Sequence, residues 1–201
     1  RSADTPGQLM RYPQAEWRPS PNFDRRQVKP SFLVVHITDG GPSFDRCVER
    51  FTRRDTRLAP HFVVGRDGEV TQVVDTADRA WHCSGWNTES VGIEHVARTP
   101  NEFKNWQTLS ERARKSLVAE GTPHDGERDP GLPLTQTQLL ASAQLIAWLC
   151  RMYGWPVDRF RLRGHYENSR TTHADCGLDE ADGGIWPWAR YLEMVRVELN
   201  R

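Results

Sequence analysis

Apolar and polar positions along this chain repeat on two different periods. Ser31 to Thr38 (Ser-Phe-Leu-Val-Val-His-Ile-Thr) is a short apolar run rich in β-branched residues, which predicts a buried strand delivering His36 to its exit. His61 to Val64 and Val70 to Val74 flank Arg66-Asp67-Gly68, where Asp-Gly is a strong hairpin signal. Val91 to Val96 reads as a further strand. Phe44, Cys47, Val48 and Phe51 fall on one helical stripe and predict a short amphipathic helix over Ser43 to Arg53. A longer helix begins at Thr135, where Gln138 completes a capping box. It buries Leu139, Ala143, Ile146, Leu149, Cys150 and Tyr153, and ends at Gly154 ahead of Pro156. A last helix, Pro187 to Asn200, turns Trp188, Tyr191, Leu192, Val195 and Leu199 inward. Strands interleaved with helices predict an α/β domain.

Two stretches break the pattern. Residues 1–30 are polar with several prolines, and read as an N-terminal arm with little regular structure. Residues 100–133 are charged and rich in Gly and Pro, with one short helical stretch near Leu109 to Glu120, and read as a polar insertion. Residues 31–201 then form one domain, long enough for a real core. The 27 basic and 27 acidic residues cancel, so no basic field argues for nucleic acid or a membrane surface. No apolar run reaches the roughly 20 residues of a membrane span. The N-terminal residues hold no basic-then-apolar leader, which fits a removed signal, a processed or excised domain joined to other modules, or another export route.

The four cysteines could form two disulfides, but their spacing imposes no framework and contains no C-x-x-C pair. Cys47 and Cys150 read as small buried hydrophobes, and Cys83 as a wall residue of a site.

The candidate chemistry lies in three places. His36 ends the first strand, Gly164-His165 closes a second short apolar segment, and Thr172-His173-Ala174-Asp175-Cys176-Gly177 forms an acidic, cysteine-bearing turn. Each histidine alone is more often a buried imidazole with one backbone hydrogen bond. Two neutral imidazoles with one carboxylate or thiolate are the ligand count of a catalytic zinc site with one open position, and imply a hydrolase.

The order of these pieces is similar to a known family. His36, Pro60-His61-Phe62-Val63-Val64, Gly65-Arg66-Asp67-Gly68, Ala80-Trp81-His82, Asn87, Ser90-Val91-Gly92-Ile93-Glu94, Gly164-His165 and Asp175-Cys176-Gly177 together resemble the zinc-dependent N-acetylmuramoyl-L-alanine amidases of type 2. That family includes phage endolysins and relatives of the peptidoglycan recognition proteins. The resemblance runs from about Lys29 to Val195 and implies a single domain with a central mixed sheet packed by helices, the zinc site lying at strand ends on one face. It implies hydrolysis of the amide between N-acetylmuramic acid and L-alanine of peptidoglycan, and fits an endolysin catalytic domain. The place of action would be the bacterial wall, reached outside the cell, in the periplasm, or from the host cytoplasm during phage lysis.

The resemblance also implies roles. His36 and His165 correspond to two zinc ligands, with Asp175 as the third and Cys176, one residue on, as its rival. Glu94 corresponds to the catalytic base; otherwise it is a surface charge on an edge strand. His173 stands where many relatives carry lysine and becomes the donor to the oxyanion, charged only below its pKa. Trp81, His82 and Asn87 resemble the substrate-side wall, although a tryptophan there could equally fill core. His61 faces the site in the family pattern, or packs behind it. A non-catalytic recognition module of the same fold is the alternative function. A zinc peptidase of different origin is disfavoured, since H-E-x-x-H is absent.

Overall fold

Strand β3 (Phe32–Ile37) is buried at every position, as its unbroken apolar run requires of a strand covered on both faces. The computed structural model describes residues 10–39, 43–98, 133–168 and 186–201. In chain order the remaining strands are β1 (Glu16–Trp17), β2 (Phe23–Arg25), β4 (Phe62–Val64), β5 (Val70–Gln72), β6 (Asp78–Ala80), β7 (Ser90–His95) and β8 (Leu162–Gly164). The helices are α1 (Phe44–Thr52), α2 (Gln136–Tyr153) and α3 (Trp188–Leu199).

Six strands form one mixed sheet in the order β1-β5-β4-β7-β3-β8, and β2 pairs with β6 as a separate ribbon. Only β4 and β5 run antiparallel in the main sheet, joined by the Asp67-Gly68 turn with Gly68 at φ 89°. The parallel neighbours of β3 are β7 and β8, with His36 opposite Glu94 and Val35 opposite Gly164. This single α/β domain with a central mixed sheet is the architecture that the sequence predicted.

Side-chain alternation divides the sheet into two faces. Leu33, Val35, Ile37, Phe62, Val64, Val91 and Ile93 point to a large core shared with α2 and α3. Val63 and Val96 point the other way, into a smaller core with Val48 and Phe51 of α1. His36 and Glu94, each one residue out of step with the larger core, therefore stand on the α1 side of the sheet.

Several expectations need correction. Residues 1–30 contribute two short strands, β1 along β5 and β2 along β6, despite their prolines. Thr135 caps α2 as predicted, accepting from the backbone N–H of Gln138. Gln138 does not reciprocate: its fully buried amide donates to Val64 O (3.0 Å) and Val96 O (3.2 Å), tying the helix to the sheet. Cys47 is half-buried rather than enclosed, and Cys47, Cys83 and Cys150 are all free thiols. No helix among the described residues is long and apolar enough to cross a membrane. The predicted insertion at residues 100–133 lies outside the described residues, apart from Pro133.

Candidate functional site

Parallel pairing of β3 with β8 builds the first half of the site. With Val35 opposite Gly164, the next residues along, His36 and His165, become neighbours at the carboxyl ends of their strands. His165 opens a short 3-10 turn, His165–Glu167, that follows β8 directly. The result is a buried pair whose Nδ1 atoms stand 3.1 Å apart. Glu94, opposite His36 on β7, adds a carboxylate that is 8% exposed.

The imidazole pair fits a metal ion. Two nitrogens held at roughly 2.0–2.1 Å from one tetrahedral zinc lie about 3.3 Å apart, close to the observed separation. Among the described residues no third His, Cys, Asp or Glu completes a metal-binding group with them. The two candidates for that place, Asp175 and Cys176, lie outside the described residues, as does His173.

A layer of polar side chains supports this pair from beneath. His82 is 5% exposed, its Nδ1 lies 2.9 Å from His36 Nε2, and its Nε2 lies 3.2 Å from Ser90 Oγ. Asn87 Oδ1 accepts from the backbone N–H groups of His82 (2.9 Å) and Cys83 (2.6 Å), closing the loop that carries this ring. His61 is fully buried; its Nδ1 accepts from Gly92 N (2.9 Å), so its Nε2–H donates to Asp78 O (3.1 Å). Trp81 is half-buried and donates its indole N–H to Asp24 Oδ2 at 2.8 Å.

His61, His82 and Asn87 were expected along the substrate. The structure places the His61 ring nitrogens against backbone, those of His82 against His36 and Ser90, and Asn87 Oδ1 against the His82 and Cys83 N–H groups. Burial and the nearby Arg26 guanidinium push His61 down to about 3. Burial first, then the neighbouring histidines and Arg26, hold His82 well below the usual imidazole range. Both rings are therefore neutral in the folded protein near pH 7.

Two further contributors lie outside the residues that the sequence singled out. Arg26, inside the proline-bearing arm, donates to Asp78 O (2.9 Å), Thr88 O (2.6 Å) and Ser90 O (2.7 Å), and burial lowers it to about 10. His95, on the opposite face of β7, places Nδ1 3.0 Å from His36 O and Nε2 2.7 Å from Ser142 Oγ. Ser142 in turn meets Tyr191 Oη at 2.5 Å, so α2 and α3 grip the backbone of His36 from behind. Burial pushes His95 down to about 3. The sequence signal for this face was present in the alternation Ser90-Gly92-Glu94, whose odd partners Val91, Ile93 and His95 face the helices.

Residues 26–177 match the N-acetylmuramoyl-L-alanine amidase family. N-acetylmuramoyl-L-alanine amidase A of Achromobacter lyticus is 28% identical over 113 residues, covering 53% of this chain and 62% of that protein. The 1,6-anhydro-N-acetylmuramyl-L-alanine amidase AmpD of Salmonella typhimurium is 33% identical over 102 residues, covering 38% of this chain and 54% of that protein. The matches thus span little more than half the length of these curated relatives. Among solved structures, an AmpD derivative superposes with a TM-score of 0.62 at 23% identity, covering 94% of this chain and 99% of that one. The AmiD amidase of E. coli, solved with anhydro-N-acetylmuramic acid-L-Ala-D-γ-Glu-L-Lys, gives 0.61 at 18% identity, covering 85% of this chain and 61% of that one. At these identities the structural likeness establishes the fold. The family match spans three quarters of the sequence and includes His36, Glu94 and His165, so the chain belongs to the N-acetylmuramoyl-L-alanine amidase family.

Proposed function

We propose that this chain is a zinc-dependent amidase that cleaves the bond between N-acetylmuramic acid and L-alanine of the peptidoglycan stem peptide. The observation that carries the reading is the buried convergence of His36 Nδ1 and His165 Nδ1, with the Glu94 carboxylate opposite His36 on the adjoining strand. His36, His165 and Asp175 would hold the ion, Cys176 being the rival for the third place. When bound, zinc polarises the scissile carbonyl and acidifies water.

The rest of the work falls to the chain's own side chains. Glu94, next to the histidine pair, takes a proton from the attacking water and passes it to the departing L-alanine nitrogen. His173, two residues before Asp175, donates a hydrogen bond to the oxyanion of the tetrahedral intermediate. Trp81, tethered to Asp24, supplies an aromatic surface for the glycan or alanyl carbons. His61, His82 and Asn87 hold this machinery in place from below.

For biological setting we propose a wall-degrading catalytic module of the phage-endolysin kind, joined to other modules in a longer polypeptide. Endolysins from Bacillus subtilis and from a Thermus scotoductus phage share the fold, at 17% identity each. The AmpD relative is instead named as an amidase of 1,6-anhydro-N-acetylmuramyl-L-alanine.

Digestion of purified sacculi followed by mass analysis of the products tests both levels. Stem peptides beginning with L-alanine, together with intact glycan, are the expected products. Cleavage confined to soluble anhydromuropeptides would overturn the wall-degrading role and leave the bond assignment standing. Binding to sacculi without cleavage of either substrate would leave only a recognition module.

A further inference from the structure

We infer that His82 is a positioning residue that fixes which nitrogen of His36 turns its lone pair to the ion, and that Gly92 is glycine because the His82 ring lies on it. The inference rests on the proposal that His36 and His165 hold zinc.

The chain of hydrogen bonds has a direction set at one end. Ser90 Oγ lies 2.7 Å from Trp86 O, and a carbonyl can only accept, so the serine hydrogen is committed there. Ser90 Oγ must then accept from His82 Nε2 at 3.2 Å, which places the proton of the neutral His82 ring on Nε2. Its Nδ1 is left bare, 2.9 Å from His36 Nε2, and accepts the Nε2–H of His36. A neutral His36 protonated on Nε2 has its lone pair on Nδ1, the atom that faces His165 Nδ1 at 3.1 Å. One loop carbonyl thus determines, through three hydrogen bonds, the ligand atom of a residue on another strand.

Shape enforces the same arrangement. A Cβ built on Gly92 would stand 2.4 Å from His82 Cγ, 2.5 Å from Nδ1 and 2.8 Å from Cδ2, closer than carbon atoms approach in folded proteins. The glycine in the middle of β7 therefore leaves room for an imidazole against the sheet. From the other side the ring meets His36 edge to face, with an interplanar angle of 89° and centroids 5.1 Å apart. Asn87 closes the loop above it. A flipped ring would lose both of its hydrogen bonds.

Partners of metal-binding histidines typically govern metal affinity by 10- to 100-fold. Zinc affinity of the purified chain, measured by competition with a chromogenic chelator, should therefore fall about 10- to 100-fold in His82→Ala and similarly in Gly92→Ala. His82→Asn, whose Oδ1 reaches the place of Nδ1, should recover part of the loss. Circular dichroism checks that each variant is folded. If His36→Ala abolishes binding while His82→Ala binds zinc as tightly as the unaltered chain, the positioning role is wrong and the metal reading stands. A direct readout needs neither metal nor variant: long-range ¹⁵N NMR of the zinc-free protein should show His36 and His82 as Nε2–H tautomers. An Nδ1–H tautomer at either residue overturns the inference, whatever the zinc affinity.

Discussion

His36 and His165 are separated by 129 residues of sequence, yet their Nδ1 atoms stand 3.1 Å apart. Nothing flexible is needed to bring them together. β3 and β8 pair in parallel with Val35 opposite Gly164, and each histidine is the next residue along its own strand. His36 is held further at both ends, its ring by His82 and its carbonyl oxygen by His95. A donor pair built on sheet register and locked by buried hydrogen bonds is preorganised, so little ordering accompanies ion capture.

That arrangement predicts one zinc per chain. His36→Ala and His165→Ala should each lose the metal while keeping the helical circular-dichroism signal, and chelation should abolish activity. Full metal occupancy in either variant, by elemental analysis, would refute the ligand assignment. Asp175→Ala and Cys176→Ser compared side by side identify the third ligand, because only the true ligand's loss depletes zinc.

Glu94 is nearly buried at the end of β7, on the same face as His36. Replacing its carboxylate by an amide removes proton transfer and changes the shape little. Glu94→Gln should therefore keep zinc and fold but slow turnover by about 10²-fold or more. Turnover within a few-fold of the unaltered chain, measured on solubilised peptidoglycan, would reduce Glu94 to a structural carboxylate.

How far the sequence discloses this site depends on range. Local pattern was enough for β3, for the Asp67-Gly68 hairpin and for the ends of α2 at Thr135 and Gly154, where capping chemistry acts over a few residues. It also put His36 at the exit of one strand and Glu94 within another. What it could not supply is depth. His61, His82 and Asn87 are polar residues near a site, and that description is the same whether they face substrate or backbone. The Gly92 pocket that seats the His82 ring exists only once β7 lies beneath the loop that carries His82. Arg26 was missed for the same reason. Its three carbonyl acceptors, on Asp78, Thr88 and Ser90, are brought together by tertiary packing.

Gln138 offers a test of the fold apart from the chemistry. Its amide reaches two carbonyls, Val64 O and Val96 O, in a fully buried position. Leucine has nearly the same volume but no donor, so Gln138→Leu removes both bonds, while Val64 O keeps the one from the Val96 N–H at 3.0 Å. The expected loss is about 1–3 kcal/mol in urea unfolding. Zinc affinity should stay unchanged, since the His36–His82–Ser90 chain lies on the opposite face of the sheet. Unaltered stability would mean that the two carbonyls are satisfied without the amide.

His61 should make the fold acid-sensitive. Its folded pKa is depressed to about 3 by burial, against an unfolded value near 6.5. Between those values the unfolded chain binds a proton that the folded chain does not, so stability rises with pH throughout that window. The contribution is complete above about pH 6.5 and is lost progressively as pH falls, by roughly 1.4 kcal/mol per pH unit for one proton. His61→Asn keeps an acceptor for the Gly92 N–H but cannot titrate. It should lower stability at pH 7, because the bond to Asp78 O is lost, yet flatten the decline between pH 6 and pH 4 by about one proton. Urea unfolding across that range measures the slope directly. An identical slope in the two proteins would show that other groups account for the acid sensitivity and that His61 titrates alike in the folded and unfolded chains.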